Sequence, residues 1–336
     1  MSRVFIIAEA GVNHNGSPDL ALRLIDAAHA SGADAVKFQT FRADLLATQA
    51  AHKAPYQERA ATKAESQFEM LQRLELDAGA HHRLIEHCRQ IGIQFLSSPF
   101  DMQSADLLAS MDVPLFKVPS GEITNHPLLE HLARKGRPMI LSTGMSTLGE
   151  VEEAVQLIQA AGTSQLTLLH CVTEYPAPYA DVNLRAIQTL KSAFGLPVGY
   201  SDHTPGIEIA VAAVAMGAVV IEKHFTLDRS LPGPDHAASL EPAELQQMVR
   251  AIRNVEAALG TGIKAPAPCE LPNLSVARKS VVAARALTAG HRITAGDLDI
   301  KRPGNGLAPK LLPALVGRSL RADVARDEVI TWDHLA

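Results

Sequence analysis

Two histidines in this sequence stand where two metal ligands could meet. His203 follows one apolar run, which ends in the letters SDH, and His224 follows the next apolar run, which ends in EKH. The alanine-rich segment between the runs is typical of a helix, so residues 197–224 predict a strand, a helix and a second strand. The carboxyl ends of parallel strands form the ligand-binding face of α/β folds. The two histidines could therefore bind one metal, although either one alone could equally cap its strand and bond to the backbone.

Two imidazole ligands would leave open coordination positions for water and a substrate oxygen. Such a site suits Lewis-acid chemistry with Mn²⁺, Mg²⁺ or a similar ion better than a closed structural zinc site. Glu122 and Glu9 could orient a water molecule or act as a general base. Their spacing does not decide between them.

Eight short apolar runs recur along the chain, and helix-patterned segments lie between or after them. The runs are Val4–Ala8, Ala35–Phe38, Ile93–Leu96, Leu115–Val118, Pro138–Leu141, Leu166–Leu169, Pro197–Gly199 and Val219–Ile221. Eight strand–helix repeats predict an α/β fold of the (β/α)₈ TIM-barrel type. A doubly wound open sheet is the alternative, but no G-x-G-x-x-G motif follows the first run.

A closed barrel would gather the polar residues at these eight strand ends into one ring. They include Glu9, Lys37, Gln39, Ser98, Lys117, Ser120, Glu122, Ser142, Thr173, Tyr175 and Ser201. Lys37 and Lys117 lie inside the apolar stretches VKFQT and FKVPS, and an unpaired buried ammonium is costly. The pattern favours a phosphorylated, carboxylated small molecule, or an internal carboxylate partner for each lysine.

Composition limits the remaining possibilities. The chain has 336 residues, is 47% hydrophobic and 20% charged, and carries a net charge of −5, which is typical of a globular protein and unlike a general nucleic-acid binder. Cys88, Cys171 and Cys269 are isolated, as expected in a reducing compartment. The N-terminal apolar stretch is too short for a signal peptide and no stretch is long enough to span a membrane, so we expect a cytoplasmic protein.

The pattern changes after Leu259. We predict a catalytic domain over residues 1–260, a proline-containing linker over 261–277 and a small module over 278–336, with Trp332 in its core. Within the first domain, the long connection from Phe41 to Leu76 leaves the end of a predicted strand. It could cover the active face or be a surface excursion.

Ten motifs occur in order along the chain: AEAGVNHNG, VKFQTF, SSPFD, FKVPSGE, LSTGM, HCVTEYPAP, GYSDHT, EKHFTLD, GPDHAASLEP and KRPGNG. Taken in this order, they resemble bacterial sialic acid synthases, namely N-acetylneuraminate synthases and their legionaminate- and pseudaminate-forming relatives. The resemblance runs essentially from end to end. It implies a TIM barrel followed by an antifreeze-like (SAF) domain and a domain-swapped homodimer. From the net charge and the lack of a membrane-spanning stretch, we expect no nucleic-acid or membrane partner.

The resemblance also implies roles for individual residues. A divalent metal, Mn²⁺ in the first place and Mg²⁺ or Co²⁺ as alternatives, would be held by His203 and His224. Phosphoenolpyruvate would contact Lys37, Ser98, Lys117, Ser120, Ser142, Thr173 and Ser201. The sugar would contact Glu9, Gln39, Tyr175 and Asp235, with Arg302 reaching in from the partner subunit. Glu122, Glu9 and Lys117 would be the catalytic residues, with Glu122 the candidate to position or deprotonate water.

The implied reaction condenses phosphoenolpyruvate with N-acetylmannosamine to give N-acetylneuraminate and phosphate. The alternative acceptor is 2,4-diacetamido-2,4,6-trideoxymannose, which would give N,N'-diacetyllegionaminate, and the sequence does not separate the two. A metal-dependent aldolase, a shikimate-type synthase that uses phosphoenolpyruvate and a non-enzymatic carbohydrate- or ice-binding protein are less favoured hypotheses.

Overall fold

The computed structural model describes residues 3–60 and 65–336. The chain divides into two compact units, Met1–Gly260 and Thr261–Ala336. Within the described residues, no helix is both long enough and apolar enough to cross a membrane.

The first unit is built on eight parallel strands. They are β1 (Phe5–Gly11), β2 (Ala35–Thr40), β3 (Gln94–Pro99), β4 (Phe116–Val118), β5 (Met139–Ser142), β6 (Leu166–Cys171), β7 (Val198–Asp202) and β8 (Val220–His224). Their order is β3-β2-β1-β8-β7-β6-β5-β4, so the first strand pairs with the last. In the described part of the chain, β3 and β4 are not joined by ladder hydrogen bonds. The sheet is a nearly closed barrel, which confirms the predicted fold class.

Eleven helices belong to this unit in its described part. They are α1 (Pro18–Ala30), α2 (Ala43–Leu46), α3 (Pro55–Ala60), α4 (Gln67–Leu74), α5 (Ala78–Ile91), α6 (Met102–Ser110), α7 (His126–Ala133), α8 (Leu148–Ala160), α9 (Ala186–Phe194), α10 (Glu208–Ala215) and α11 (Pro242–Leu259). Local sequence explains several boundaries. The Ser17 side chain accepts a hydrogen bond at the start of α1, and Thr147 and Glu150 form a capping box at the start of α8.

The barrel strands have two differently composed faces because side chains alternate along a strand. The outward faces and the helices share a large apolar core. The inward faces form a small apolar layer low in the barrel, made of Ile7, Ala35, Leu96, Ile140, Leu169 and Val220. Two residues further along the same strands, the inward positions become polar, as at Glu9, Lys37, Ser98 and Glu222. The strand ends are thus themselves the polar part of the barrel interior.

The connection from Phe41 to Leu76 is largely helical where it is described. It contains α2, α3 and α4, and the part of the prediction that falls on residues 61–64 lies outside the described residues. Val12, Phe41, Met70 and Leu74 form a separate small apolar cluster in which Leu46, Leu71 and Phe100 also pack. This connection is therefore a packed substructure with its own core.

The second unit contains α12 (Leu271–Ala277), the antiparallel strands β9 (Ser280–Ala283) and β10 (Leu298–Lys301), and α13 (Leu312–Leu315). Its core includes Val281, Ile293, Leu315 and Ile330. The predicted linker, residues 261–277, groups with this unit and carries α12, because proline within the first turn of a helix costs no hydrogen bond. The expected core position of Trp332 is wrong, since its side chain is half-exposed beneath the Arg318 guanidinium.

Candidate active site

A cavity of about 440 Å³ opens at the carboxyl ends of the barrel strands. The predicted site residues that line it are Glu9, Lys37, Gln39, Ser98, Lys117, Ser120, Glu122, Ser142, Thr173, Tyr175, Ser201, His203 and His224. The expectation that these residues converge therefore holds. Which ligand atom each of them contacts stays a prediction.

Two buried lysines and two buried carboxylates form the floor of this cavity. The Lys37 Nζ lies 2.5 Å from Glu9 Oε2 and 3.7 Å from Glu222 Oε2, and the Lys117 Nζ lies 3.4 Å from Glu222 Oε1. The strand register explains these contacts, because Lys37 and His224 both flank Glu9 on neighbouring strands. Each lysine thus has the internal carboxylate partner that its apolar surroundings demand.

Lys37 and Lys117 also donate hydrogen bonds to serine hydroxyl groups. The Lys37 Nζ donates to Ser98 Oγ at 3.2 Å, and the Lys117 Nζ donates to Ser142 Oγ at 2.9 Å. Ser201 Oγ donates to Glu222 Oε1 at 2.8 Å. Ammonium and hydroxyl donors converging on one buried point are the groups that bind a phosphate or carboxylate.

Burial and charge shift the pKa values of these groups in different directions. Burial raises the pKa of Glu9 to about 7, against the opposing pull of Lys37. Burial also acts on Glu222, but Lys117 and Lys37 outweigh it and lower the pKa of that carboxyl to about 2. Burial lowers the pKa of Lys117, whereas for Lys37 the charges of Glu222 and Glu9 outweigh burial and raise it. Glu222 is therefore the fixed anion of the cluster, and Glu9 is the carboxyl that can hold a proton near neutral pH.

The histidine pair has the features of a two-ligand metal site. The ring centroids of His203 and His224 lie 5.6 Å apart, and the Tyr175 ring lies 4.2 Å from that of His203. His203 Nδ1 lies 2.5 Å from the Val172 carbonyl oxygen and donates to it, so Nε2 carries the ring's lone pair, 3.4 Å from Ser201 Oγ. His224 Nδ1 is buried with no hydrogen-bond partner among residues 3–60 and 65–336.

Burial lowers the pKa of both histidines, and it does so well below the usual value for His224. Neutral imidazole is the form that coordinates metal. No group of three or more His, Cys, Asp or Glu suited to a metal occurs in the described chain. Two buried, neutral imidazoles, one with an Nδ1 that has no partner among the described residues, fit a divalent ion that takes two ligands from the protein and keeps open positions.

A second cluster lies at the ends of β4, β5 and β6. Glu122 ends a short 3-10 turn after β4 and accepts a hydrogen bond of 2.7 Å from Asn125 Nδ2, and burial raises its pKa. The Ser120 Oγ accepts from the Gly144 N–H at 3.0 Å. The Thr173 Oγ1 is buried and has no hydrogen-bond partner among the described residues. An unsatisfied buried hydroxyl that faces a cavity calls for a ligand or water.

Asp235 and Arg302 are predicted site residues that do not line the cavity. Asp235 is buried close to the cavity. A Cβ placed on Gly11 would lie within 3.5 Å of Glu9 Oε1, Gln39 Nε2 and Asp235 Oδ2, so these three side chains meet around Gly11. Gly11 also has φ +54°, a conformation that favours glycine. Burial raises the pKa of Asp235 to about 6. Arg302 belongs to the second unit, where its side chain is exposed and its Nε donates to the Ala277 carbonyl.

Glu222 stands in the letters EKH at the end of the last apolar run, and no role was predicted for it. The signal was available, because Glu222 stands two residues before His224 and Ser201 two residues before His203, so each pair shares the inward face. Asp202 and Lys223 take the opposite face, where the Lys223 Nζ lies 2.6 Å from Asp202 Oδ2. Their side chains therefore bond to each other on the outward face of β7 and β8, and neither lines the cavity.

The fold and site together define an enzyme of the TIM-barrel class whose cavity holds paired lysines, a fixed carboxylate and two neutral histidines. Comparisons with known proteins narrow this class. Residues 24–264 match the NeuB family model and residues 278–336 match the SAF domain model. The chain belongs to the NeuB family, and it is a synthase of the sialic (nonulosonic) acid type with a C-terminal SAF domain.

Individual relatives support this assignment over almost the whole chain. It is 50% identical to the N,N'-diacetyllegionaminic acid synthase of Campylobacter jejuni, over 98% of this chain and 99% of the relative. It is 49% identical to the enzyme of the same name from Legionella pneumophila, over 98% of this chain and 94% of the relative. The crystal structure of N-acetylneuraminic acid synthetase from Leptospira borgpetersenii is 39% identical, with a TM-score of 0.72 over 81% of this chain and 90% of that one.

Proposed function

We propose that this enzyme condenses phosphoenolpyruvate with an N-acetylated amino sugar and releases phosphate. The observation that carries the proposal is the buried pair Lys37 and Lys117, each joined to a serine hydroxyl inside a cavity that also holds two neutral histidines. Phosphoenolpyruvate is a small anion with both a phosphate and a carboxylate. The cluster offers two ammonium groups for those charges.

Two acceptors have specific support. The relatives from C. jejuni and L. pneumophila are named for diacetyllegionaminic acid, which favours 2,4-diacetamido-2,4,6-trideoxymannose. The Leptospira structure is named for N-acetylneuraminic acid, which favours N-acetylmannosamine. We propose the diacetamido sugar as the preferred acceptor and N-acetylmannosamine as the second candidate.

The chain's own residues account for binding and orientation in this reaction. The methylene carbon of phosphoenolpyruvate forms a bond with the aldehyde carbon of the open-chain sugar, and the aldehyde oxygen takes a proton and becomes a hydroxyl. Water adds at the former enol carbon and loses a proton, and C–O cleavage then leaves a ketone at that carbon and releases phosphate. Lys37 and Lys117 offset the phosphate and carboxylate charges, while Ser120, Ser142 and Thr173 supply directed hydrogen bonds. Glu122, which lines the cavity, holds the attacking water and takes its proton; burial raises the pKa of this carboxyl, which makes it a stronger base than an exposed glutamate.

We propose Mn²⁺ as the metal at His203 and His224, with Mg²⁺ or Co²⁺ as substitutes. A divalent ion bound there supplies Lewis acidity to an aldehyde oxygen. The Val172 carbonyl fixes the tautomer of His203, and the Tyr175 ring packs against both imidazoles. These contacts hold both rings in place before any ligand arrives.

The experiment that tests the proposal is Mn²⁺-dependent phosphate release from phosphoenolpyruvate, measured with each sugar in parallel. We expect release with at least one of them, and a higher kcat/KM with the diacetamido sugar. Release with N-acetylmannosamine alone would select the second candidate. An absence of release with both sugars and every metal would contradict the proposed reaction.

Gly144→Ala should impair this reaction strongly. A Cβ at this position would lie 2.3 Å from Thr173 Oγ1 and 2.8 Å from Ser120 Oγ, so both hydroxyls would have to move. Since a misplacement of about 1 Å can cost roughly 100-fold in rate, we expect kcat/KM for phosphoenolpyruvate to fall by at least ~10-fold. Gly149→Ala is the matched control, because its Cβ would meet no atom within 4 Å. Equal rates for the two variants would remove Ser120 and Thr173 from the proposed anion site.

We propose further that the enzyme is a domain-swapped homodimer in which Arg302 serves the partner's active site. Arg302→Ala should raise the KM for the sugar, and His203→Ala should be inactive. In a swapped dimer, the mixed species places an intact barrel beside an intact Arg302 from the other chain. Mixing the two variants under subunit exchange should therefore restore up to about a quarter of the original activity in a 1:1 mixture, since half of the dimers are mixed and each has one working site. If the mixture shows no more activity than the separate variants, Arg302 does not act across subunits.

A further inference from the structure

One wall of the active-site cavity is apolar and comes from outside the barrel strands. Leu46, Ala47, Ala54 and Leu71 belong to the connection between β2 and β3, and Phe100 directly follows β3. We call these five residues the loop-side wall. The same cavity is lined by Gln39, near the end of β2, and by Ser120, Glu122 and Thr173 from the loops after β4 and β6.

The loop-side wall is held rigidly from behind. Leu46, Leu71 and Phe100 pack on the small cluster of Val12, Phe41, Met70 and Leu74. The Phe41 and Phe100 rings meet edge to face with centroids 6.0 Å apart. The Ala43 N–H donates to Glu75 Oε1 at 2.6 Å, which ties the start of α2 to the end of the connection. A wall supported in this way can discriminate between ligands, because it does not yield to fit them.

The charges of the cavity lie elsewhere. In the described lining, the charged side chains other than the two histidines are Glu9, Lys37, Lys117, Glu122 and Glu222, which come from the strands and from the turn after β4. Among its described residues, the connection contributes the amides of Gln57 and Gln67 beside its apolar side chains. Among the described cations of the connection, Lys53 and Arg42 pair with Glu65 and Asp44, and neither lines the cavity. The described residues of this wall therefore offer an uncharged and partly apolar surface to a ligand.

We propose that the loop-side wall selects the acceptor by packing against apolar substituents of the sugar, such as the methyl of a second N-acetyl group or of a 6-deoxy carbon. This inference rests on the proposed function. N-acetylmannosamine carries hydroxyl groups where the diacetamido sugar carries those substituents. Burying a hydroxyl against leucine and phenylalanine without a partner is unfavourable, whereas burying a methyl is favourable. The wall thus favours the diacetamido acceptor over N-acetylmannosamine.

The test measures kcat/KM for both sugars in Leu46→Asn and Leu71→Asn variants of the full-length enzyme. Because one apolar group in a pocket is worth roughly 10–200-fold in discrimination, we expect the ratio of the diacetamido sugar to N-acetylmannosamine to fall by at least ~10-fold. The KM for phosphoenolpyruvate should stay the same. Leu45→Asn is the matched control, since Leu45 lies in the same helix, is 44% exposed and does not line the cavity.

A second variant covers the case in which the asparagine substitutions unfold the connection. Ala47→Leu adds bulk to the half-buried wall without removing any packing, and it should lower kcat/KM for the larger diacetamido sugar more than for N-acetylmannosamine. If the parent enzyme turns over only one sugar, the wall variants are compared with the parent for that sugar alone. We then expect kcat/KM for that sugar to fall while the KM for phosphoenolpyruvate stays constant. A parent enzyme inactive with both sugars would refute the proposed function. An active parent whose acceptor preference is unchanged in the wall variants would refute this inference alone.

Discussion

The double variant His203→Ala, His224→Ala should lose tight binding of Mn²⁺. These two imidazoles are neutral, face one cavity and are the histidines that line it. Loss of second-shell partners alone lowers metal affinity by roughly 10–100-fold. Removing both ligands should therefore raise the Kd by well over ~100-fold, measured by calorimetry and by the electron paramagnetic resonance signal of free Mn²⁺.

The matched control is His170→Ala. His170 also ends a barrel strand, but its Nε2 is 2.7 Å from the Val182 carbonyl and the residue does not line the active-site cavity. We expect its metal affinity to match that of the parent enzyme. Circular dichroism and thermal unfolding should show that all variants are folded. An unchanged Kd in the folded double variant would rule out the ligand assignment, whatever happened to turnover.

The barrel itself was predictable because its signals are local and repeated. Each of the eight apolar runs is short, precedes or follows a helix-patterned segment and ends in polar residues. The boundaries were less accurate. The runs predicted as Pro197–Gly199 and Val219–Ile221 continue as strands to Asp202 and His224, because polar side chains are acceptable inside a barrel when they pair with one another.

The site was predicted as a set of residues but not as a network. Sequence spacing gives the face on which Glu222 lies, yet only the closed sheet shows that it stands between Lys37 and Lys117. The connection was expected either to cover the active face or to be a surface excursion, but its individual wall residues could not be predicted, since Leu46, Leu71 and Phe100 carry no motif. Their place in the cavity depends on how the connection packs on its own small core. Contacts between distant segments are the part that periodicity does not encode.

Lys223→Met should be the most destabilising single change behind the site. The Lys223 side chain is 1% exposed and that of Asp202 is fully buried. The Lys223 Nζ also donates to the Thr204 carbonyl oxygen at 2.5 Å. Removing one partner of a buried ion pair leaves the other charge unpaired, at a cost of about 3–5 kcal/mol. We expect the free energy of unfolding of the first unit to fall by that amount in urea titrations.

The double variant Asp202→Asn, Lys223→Met distinguishes a lost charge from lost packing. The asparagine can still accept from the Thr204 N–H and hydroxyl, which Asp202 Oδ1 accepts at 2.9 and 2.8 Å. Since no charge then stays unpaired, the double variant should be more stable than Lys223→Met alone. Arg134→Met, which breaks an exposed pair with Glu130, should leave stability unchanged within error. If the double variant is as unstable as the single one, the ion pair is not the source of the loss.

This ion pair also explains how a polar site can stay in place on a barrel rim. Asp202 and Thr204 flank His203, and Lys223 directly precedes His224, so the pair fastens the ends of β7 and β8 from the outward face while both imidazoles point inward. The double variant Asp202→Asn, Lys223→Met separates the effect of the ion pair on stability from its effect on the position of the histidines. We expect it to retain most of the stability but to bind Mn²⁺ several-fold more weakly than the parent, because the two strand ends are no longer held by a charged bond. Unchanged Mn²⁺ affinity in this variant would mean that the backbone ladder alone orients the histidines.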